Sequence, residues 1–208
     1  MLRTGLGISV SLLACIVLLF VFSDNAPRLP QLAENTVILA FGDSLTYGTG
    51  VKKNQSYPAV LSELTGRTVI NAGIPGEVSA QGRERLPALL DRYRPELLLL
   101  CHGGNDLLRH VNSAITRTNI ESMIEAATQR NIPVLLIGVP KPGLLFLSAA
   151  DIYSEIAEKY KLVYEDEILP DVESNSALKS DQIHPNADGY QRIAAAIYRL
   201  MTESGALP

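Results

Sequence analysis

Runs of lysine or arginine are missing from this 208-residue chain, whose 18 basic residues are scattered among 22 acidic ones for a net charge of −4. A phosphate backbone would find no basic track to lie on, so nucleic acid is excluded as a partner. Internal repeats at periods of roughly 20–50 residues are absent, and with them the solenoid and propeller architectures. Cysteine is scarce, with Cys15 and Cys101 alone. If Cys15 is removed or membrane-embedded, Cys101 has no partner, so no internal disulfide is expected. Histidine is scarce as well: His102, His110 and His184 are the whole supply of imidazole bases.

Apolar residues are plentiful, at 47% against 19% charged, and the length suits one sizeable domain. Residues 5–22, GLGISVSLLACIVLLFVF, carry no charge. As a helix they would span about 27 Å, close to the hydrocarbon thickness of a bilayer. Residues 1–23 are therefore expected to be a signal peptide or an N-terminal membrane anchor, and the protein to be exported. Leu12-Leu13-Ala14-Cys15 is similar to a lipoprotein cleavage box, but leucine is atypical at its second place and seven apolar residues follow Cys15. Residues 24–35, with two prolines, read as a linker, and 36–205 as the folded domain.

That domain alternates. Residues 36–41 (TVILAF), 68–71 (TVIN), 97–101 (LLLLC), 134–139 (VLLIGV) and 162–164 (LVY) are short, continuous apolar runs, the pattern of parallel strands buried on both faces. Helical stripes lie between them: Tyr57, Val60, Leu61 and Leu64; Ile120, Met123, Ile124 and Ala127; Ile152 and Ile156; and Tyr190, Ile193, Ala194, Ile197, Leu200 and Met201. Such alternation predicts a three-layer α/β/α sandwich with right-handed crossovers. Its ligand site is expected beyond the carboxyl ends of the strands.

FGDSLTYGTG, residues 41–50, sits at that edge. It is no Walker A loop, because no lysine follows Gly48 or Gly50 in the required place. Val51-Lys52-Lys53 after Gly48-Thr49-Gly50 denies it the third glycine of a dinucleotide loop. Thr46 stands where the second glycine of an α/β-hydrolase elbow belongs. What is left is Ser44 as a nucleophile, which needs a base. Adjacent strand residues face opposite ways, so a Cys101–His102 dyad is geometrically poor, and His110 reads as a surface residue. His184 lies in Asp181-Gln182-Ile183-His184-Pro185, where Asp181 is placed either to hold Nδ1 and leave Nε2 free for a serine proton, or to cap the next helix. Asp43 reads as an acceptor that fixes the loop. Gly103-Gly104-Asn105-Asp106 and Asn71-Ala72-Gly73-Ile74-Pro75-Gly76 end two further strands and offer an amide and a backbone N–H to an oxyanion.

In order, Ser44 in GDSL, Gly76, Asn105 in GGND and Asp181-x-x-His184 resemble the four sequence blocks of the GDSL (SGNH) hydrolases, over nearly the whole of 36–205. VINAGIPGEVSAQGRERLPALL and DQIHPNADGY are similar to the bacterial periplasmic branch with acyl-CoA thioesterase, lysophospholipase and arylesterase activities. The resemblance implies a flavodoxin-like fold of five parallel strands and a periplasmic serine esterase that uses no metal or cofactor. It implies Ser44, His184 and Asp181 as catalytic residues and the Ser44 and Gly76 N–H groups with Asn105 as the oxyanion hole. The substrate is then a small acyl ester or thioester. Residues 139–147, VPKPGLLFL, depart from the family, and Pro140, Leu144 and Leu145 are expected to line an acyl groove. Carbohydrate deacetylation, a non-catalytic binding module and a flavin or phosphate binder are the alternatives.

Overall fold

The computed structural model describes residues 26–141 and 148–208. The apolar stretch 5–22 with Cys15, and Leu144 and Leu145, lie outside the described residues. Five strands form one sheet: β1 Val37–Gly42, β2 Thr68–Gly73, β3 Leu97–Cys101, β4 Val134–Ile137 and β5 Val163–Glu165. Their order is β2-β1-β3-β4-β5 and every pairing is parallel. The continuous apolar runs of β3 and β4 are wholly buried, as expected for strands covered on both faces. TVIN departs from that expectation: β2 is an edge strand, and Thr68 and Asn71 are exposed.

The helices, in chain order, are α1 Ser44–Tyr47, α2 Tyr57–Thr65, α3 Ser79–Tyr93, α4 Gly104–Leu108, α5 Ser113–Thr128, α6 Asp151–Tyr160, α7 Ile168–Ser174 and α8 Ala187–Glu203. Layer one pairs α3 with α5 and α5 with α6; layer two pairs α2 with α8 and α8 with α7. Of the stripe on α8, Tyr190, Ile193, Ala194, Ile197 and Met201 are buried and Leu200 is half-buried. Each large side chain so buried contributes about 1.5–3 kcal/mol. Asn186 starts this helix, its side chain accepting from the Gly189 N–H at 3.1 Å.

Residues 26–33 carry no helix or strand. Yet Leu29 and Leu32 are buried in the core, and their N–H groups donate to Ser204 O at 3.0 Å and Ala206 O at 2.9 Å. This part of the expected linker is a strap docked along the end of α8. At the opposite, carboxyl end of the sheet, the connections leaving β1, β2, β3 and β4 lie side by side, which is what brings distant sequence blocks together.

Candidate active site

Ser44 is the first residue of the one-turn helix α1, directly after β1. Asp43 precedes it, and its Oδ1 accepts from the Leu45 N–H at 3.2 Å, fixing the bend. Burial pushes the Asp43 carboxyl up, against the His102 charge and the N–H groups of Leu45 and Gly104. Gly48 ends the turn at φ 91, a left-handed conformation that glycine enters without strain.

Ser44 Oγ lies 3.0 Å from His184 Nε2, and His184 Nδ1 lies 2.8 Å from Asp181 Oδ2, although 140 residues separate Ser44 from His184. Asp181 Oδ1 accepts from the N–H groups of Ile183 at 2.8 Å and His184 at 2.7 Å. Asp181 therefore caps its own loop and holds the ring, while the helix is capped by Asn186. The His184 N–H, opposed by desolvation and helped by the ring and the Ile183 N–H, brings the Asp181 carboxyl down to about 2. It is a carboxylate at neutral pH. Nδ1 must then donate to it, leaving the Nε2 lone pair facing the serine.

Two further loops complete the site. Ile74-Pro75-Gly76-Glu77 is a tight turn closed by the Glu77 N–H donating to Ile74 O at 3.2 Å, with Gly76 at φ 79. Proline followed by a positive-φ glycine is the type II pattern. Arg109 donates to Gly76 O at 3.0 Å. The Asn105 amide, at the start of α4, donates to Glu77 O at 3.0 Å and to Asp43 Oδ2 at 3.3 Å. Asn105 thus ties the β1 loop to the β2 loop.

Behind the turn, the Glu77 side chain is buried and receives Arg85 through Nε at 2.8 Å and Nη2 at 2.6 Å. His102 Nε2 donates to its Oε2 at 3.1 Å. Burial raises the Glu77 carboxyl, but the hydrogen bonds from His102 and Arg85 and the guanidinium charge outweigh it and bring it to about 2. His102 stacks on Phe41 and is turned toward α3, away from any dyad with Cys101; His110 is exposed. Sequence reading missed Glu77, Arg85 and Arg109. The signal available was a glutamate adjoining the turn glycine, with an arginine eight residues on.

Ser44, Gly76, Asn105, Pro140, Glu173 and His184 line one cavity of about 520 Å³. Pro140 is buried, and the loop it opens is closed by a bridge to Ala149 and by the Lys141 N–H donating to Ser148 O at 3.0 Å. Among the described residues, no group of three or more His, Cys, Asp or Glu side chains is placed to hold a metal ion. A hydroxyl hydrogen-bonded to an imidazole, with N–H donors beside it in a concave site, is equipped for attack on a carbonyl carbon.

The model of the GDSL-like lipase/acylhydrolase family matches residues 40–192. Esterase TesA of Pseudomonas aeruginosa is 31% identical over 180 residues, covering 82% of this chain and 90% of that protein. Thioesterase 1/protease 1/lysophospholipase L1 of Escherichia coli is 31% identical over 169 residues, covering 78% and 81%. The crystal structure of AlinE4, an SGNH-hydrolase family esterase, superposes with a TM-score of 0.63 at 35% identity over 84% of this chain and 98% of that one.

Proposed function

Because this chain belongs to the GDSL-like lipase/acylhydrolase family, we propose that it hydrolyses carboxylic esters or thioesters of small acyl substrates through Ser44, His184 and Asp181. The observation that carries this reading is the 3.0 Å contact between Ser44 Oγ and a His184 ring whose other nitrogen is held by an ionised Asp181. His184 takes the Ser44 proton as Oγ attacks the carbonyl carbon. The charge that develops on the carbonyl oxygen is met by the N–H groups of Ser44 and Gly76 and by the Asn105 amide, which gives up its longer bond to Asp43 to do so. His184 then protonates the leaving alcohol or thiol. Water, deprotonated in turn by His184, attacks the acyl-serine carbonyl, and His184 returns that proton to Ser44 Oγ as the acyl–Oγ bond breaks and the acid leaves. Each oxyanion donor is worth roughly 100–1,000-fold in rate.

Apolar Leu108, Val139 and Pro140 in the cavity support an acyl chain as the bound group, and the leucines of the sequence that follows, Leu144 and Leu145, are proposed as further acyl-contacting residues. Each methylene buried there adds about 0.8 kcal/mol, close to a fourfold gain in kcat/KM per carbon. The test is kcat/KM for p-nitrophenyl esters of increasing chain length, in wild type and Leu145→Ala. A rise with length, shortened by the substitution, is expected. A fall from acetyl onward replaces this reading with a carbohydrate acetyl esterase.

The proposal includes export, to the periplasm or as a membrane-anchored enzyme facing it, supported by the uncharged 18-residue stretch 5–22. Among the described residues no helix is long and apolar enough to cross a membrane. Fractionation of cells expressing the full chain tests it: activity confined to the cytosol removes this part of the reading.

A further inference from the structure

The cavity around Ser44 has two chemically different walls. Pro75, Leu108, Val139 and Pro140, from the connections after β2, β3 and β4, form an apolar one. The other comes from the α8 side. It holds Thr49, whose carbonyl accepts from the Tyr190 hydroxyl at 3.1 Å, then Glu173 on α7, and Lys179, Gln182 and the apolar Ile183 ahead of α8. A carboxyl group in a substrate cavity beside an apolar wall is costly to desolvate unless something meets it.

Among the described residues no hydrogen bond or ion pair reaches the Glu173 carboxyl. The ionisable groups whose charge acts on it or responds to it are Lys179, Asp43 just after β1, Cys101 at the end of β3 and Tyr190 on α8, and His184 lines the same cavity. Lys179 directs Nζ to Gln182 O at 3.2 Å. Burial holds Cys101 and Tyr190 in their neutral forms, and Asp43 adds only negative charge. Burial, against the attraction of Lys179 and with the repulsion of Asp43, pushes the Glu173 carboxyl up to about 7. It gains its charge in the neutral range, and a cation beside it would favour that charged form.

We infer that Glu173 is a specificity-determining residue, and that its wall receives a cationic group of the substrate, so that ammonium-bearing esters are preferred over neutral isosteres. The inference rests on the Ser44-centred reading above. A cation finds there a carboxylate in partly desolvated surroundings, whereas a neutral group of the same shape leaves that carboxylate without a partner. The same bonds form and break at Ser44 for both, so the part of the preference that depends on residue 173 and on its charge belongs to binding.

Butyrylcholine and 3,3-dimethylbutyl butyrate share acyl group and shape and differ in charge, and the ratio of their kcat/KM values reads the inference directly. It is measured with wild type, Glu173→Gln and Glu173→Leu, at about pH 8.5 and about pH 5.5, on either side of the Glu173 titration. At the higher pH the wild-type ratio should exceed that of either variant about fivefold in favour of the cation, as for an ion pair worth about 1 kcal/mol. The ratio should fall toward that of the two variants at the lower pH, and in both variants it should not change with pH. Effects of pH on the reacting residues cancel in it, and the wild-type comparison stands even where a variant does not fold. A ratio that ignores both pH and residue 173 overturns this inference alone. Failure of wild type to hydrolyse either ester overturns it together with the Ser44 reading.

Discussion

At the scale of single residues, the roles of His184 and Asp181 separate by consequence. His184→Ala removes the group proposed to take the serine proton, and turnover should fall on the order of 10⁶-fold. Asp181→Asn keeps the ring and alters its orientation and tautomer, so the loss should be smaller, on the order of 10²–10⁴-fold. Steady-state kcat of the two variants checks the ranking, and equal losses would contradict it. Asp181 and His184 were legible in the sequence because three residues of chain are enough to bring a carboxylate to an imidazole. Glu77 was not, because its meaning depends on Arg85 and on His102 from another strand end, and no local pattern joins those three. Its charge has a measurable consequence. The ordinary carboxyl value of 4.5 is depressed to about 2 on folding. The stabilisation is therefore fully present above about pH 4.5 and is lost as pH falls through about 2, amounting to roughly 3 kcal/mol. Glu77→Gln should lower stability at neutral pH and flatten the decline of Tm between those values. An acid profile unchanged by the substitution would contradict this account of the network.

Among elements, the strands and the long amphipathic helices could be read from apolar spacing alone, and α8 is the clearest case. The helix α3 could not. Pro87 lies inside it, Gly82 interrupts it, and only Leu86 and Leu90 among its larger side chains are buried, so no stripe stands out. The strap before β1 was unreadable for a different reason. Prolines and polar residues suggest a linker, but isolated Leu29 and Leu32 gain their meaning only from the far end of the chain. Burial of two leucines is worth about 3–6 kcal/mol. A chain beginning at Glu34 should therefore lose stability of that order relative to one beginning at Ala26, measured by urea denaturation. Equal midpoints would show that the strap contributes nothing.

On the scale of the whole molecule, parallel connectivity does the positioning. Order β2-β1-β3-β4-β5 puts β1 between β2 and β3, so the loops bearing Ser44, Gly76 and Asn105 are neighbours before any side chain is placed. The return of α8 against α2 then brings the Asp181–His184 loop over Ser44. Motif order along the chain was enough to name these residues as candidates, and the fold brings them together. Of the cavity walls, Pro140 was named from the sequence, but Thr49, Glu173 and Leu108 were not, since they converge only through the fold. The central claim is that Ser44 forms a covalent bond to the substrate's acyl group. Treating the protein with an organophosphonate ester and mapping the adduct by peptide mass spectrometry tests it most directly. One adduct on Ser44, with none on Ser44→Ala and turnover lost in that folded variant, is predicted. An adduct on any other residue, or full turnover by Ser44→Ala, would contradict it.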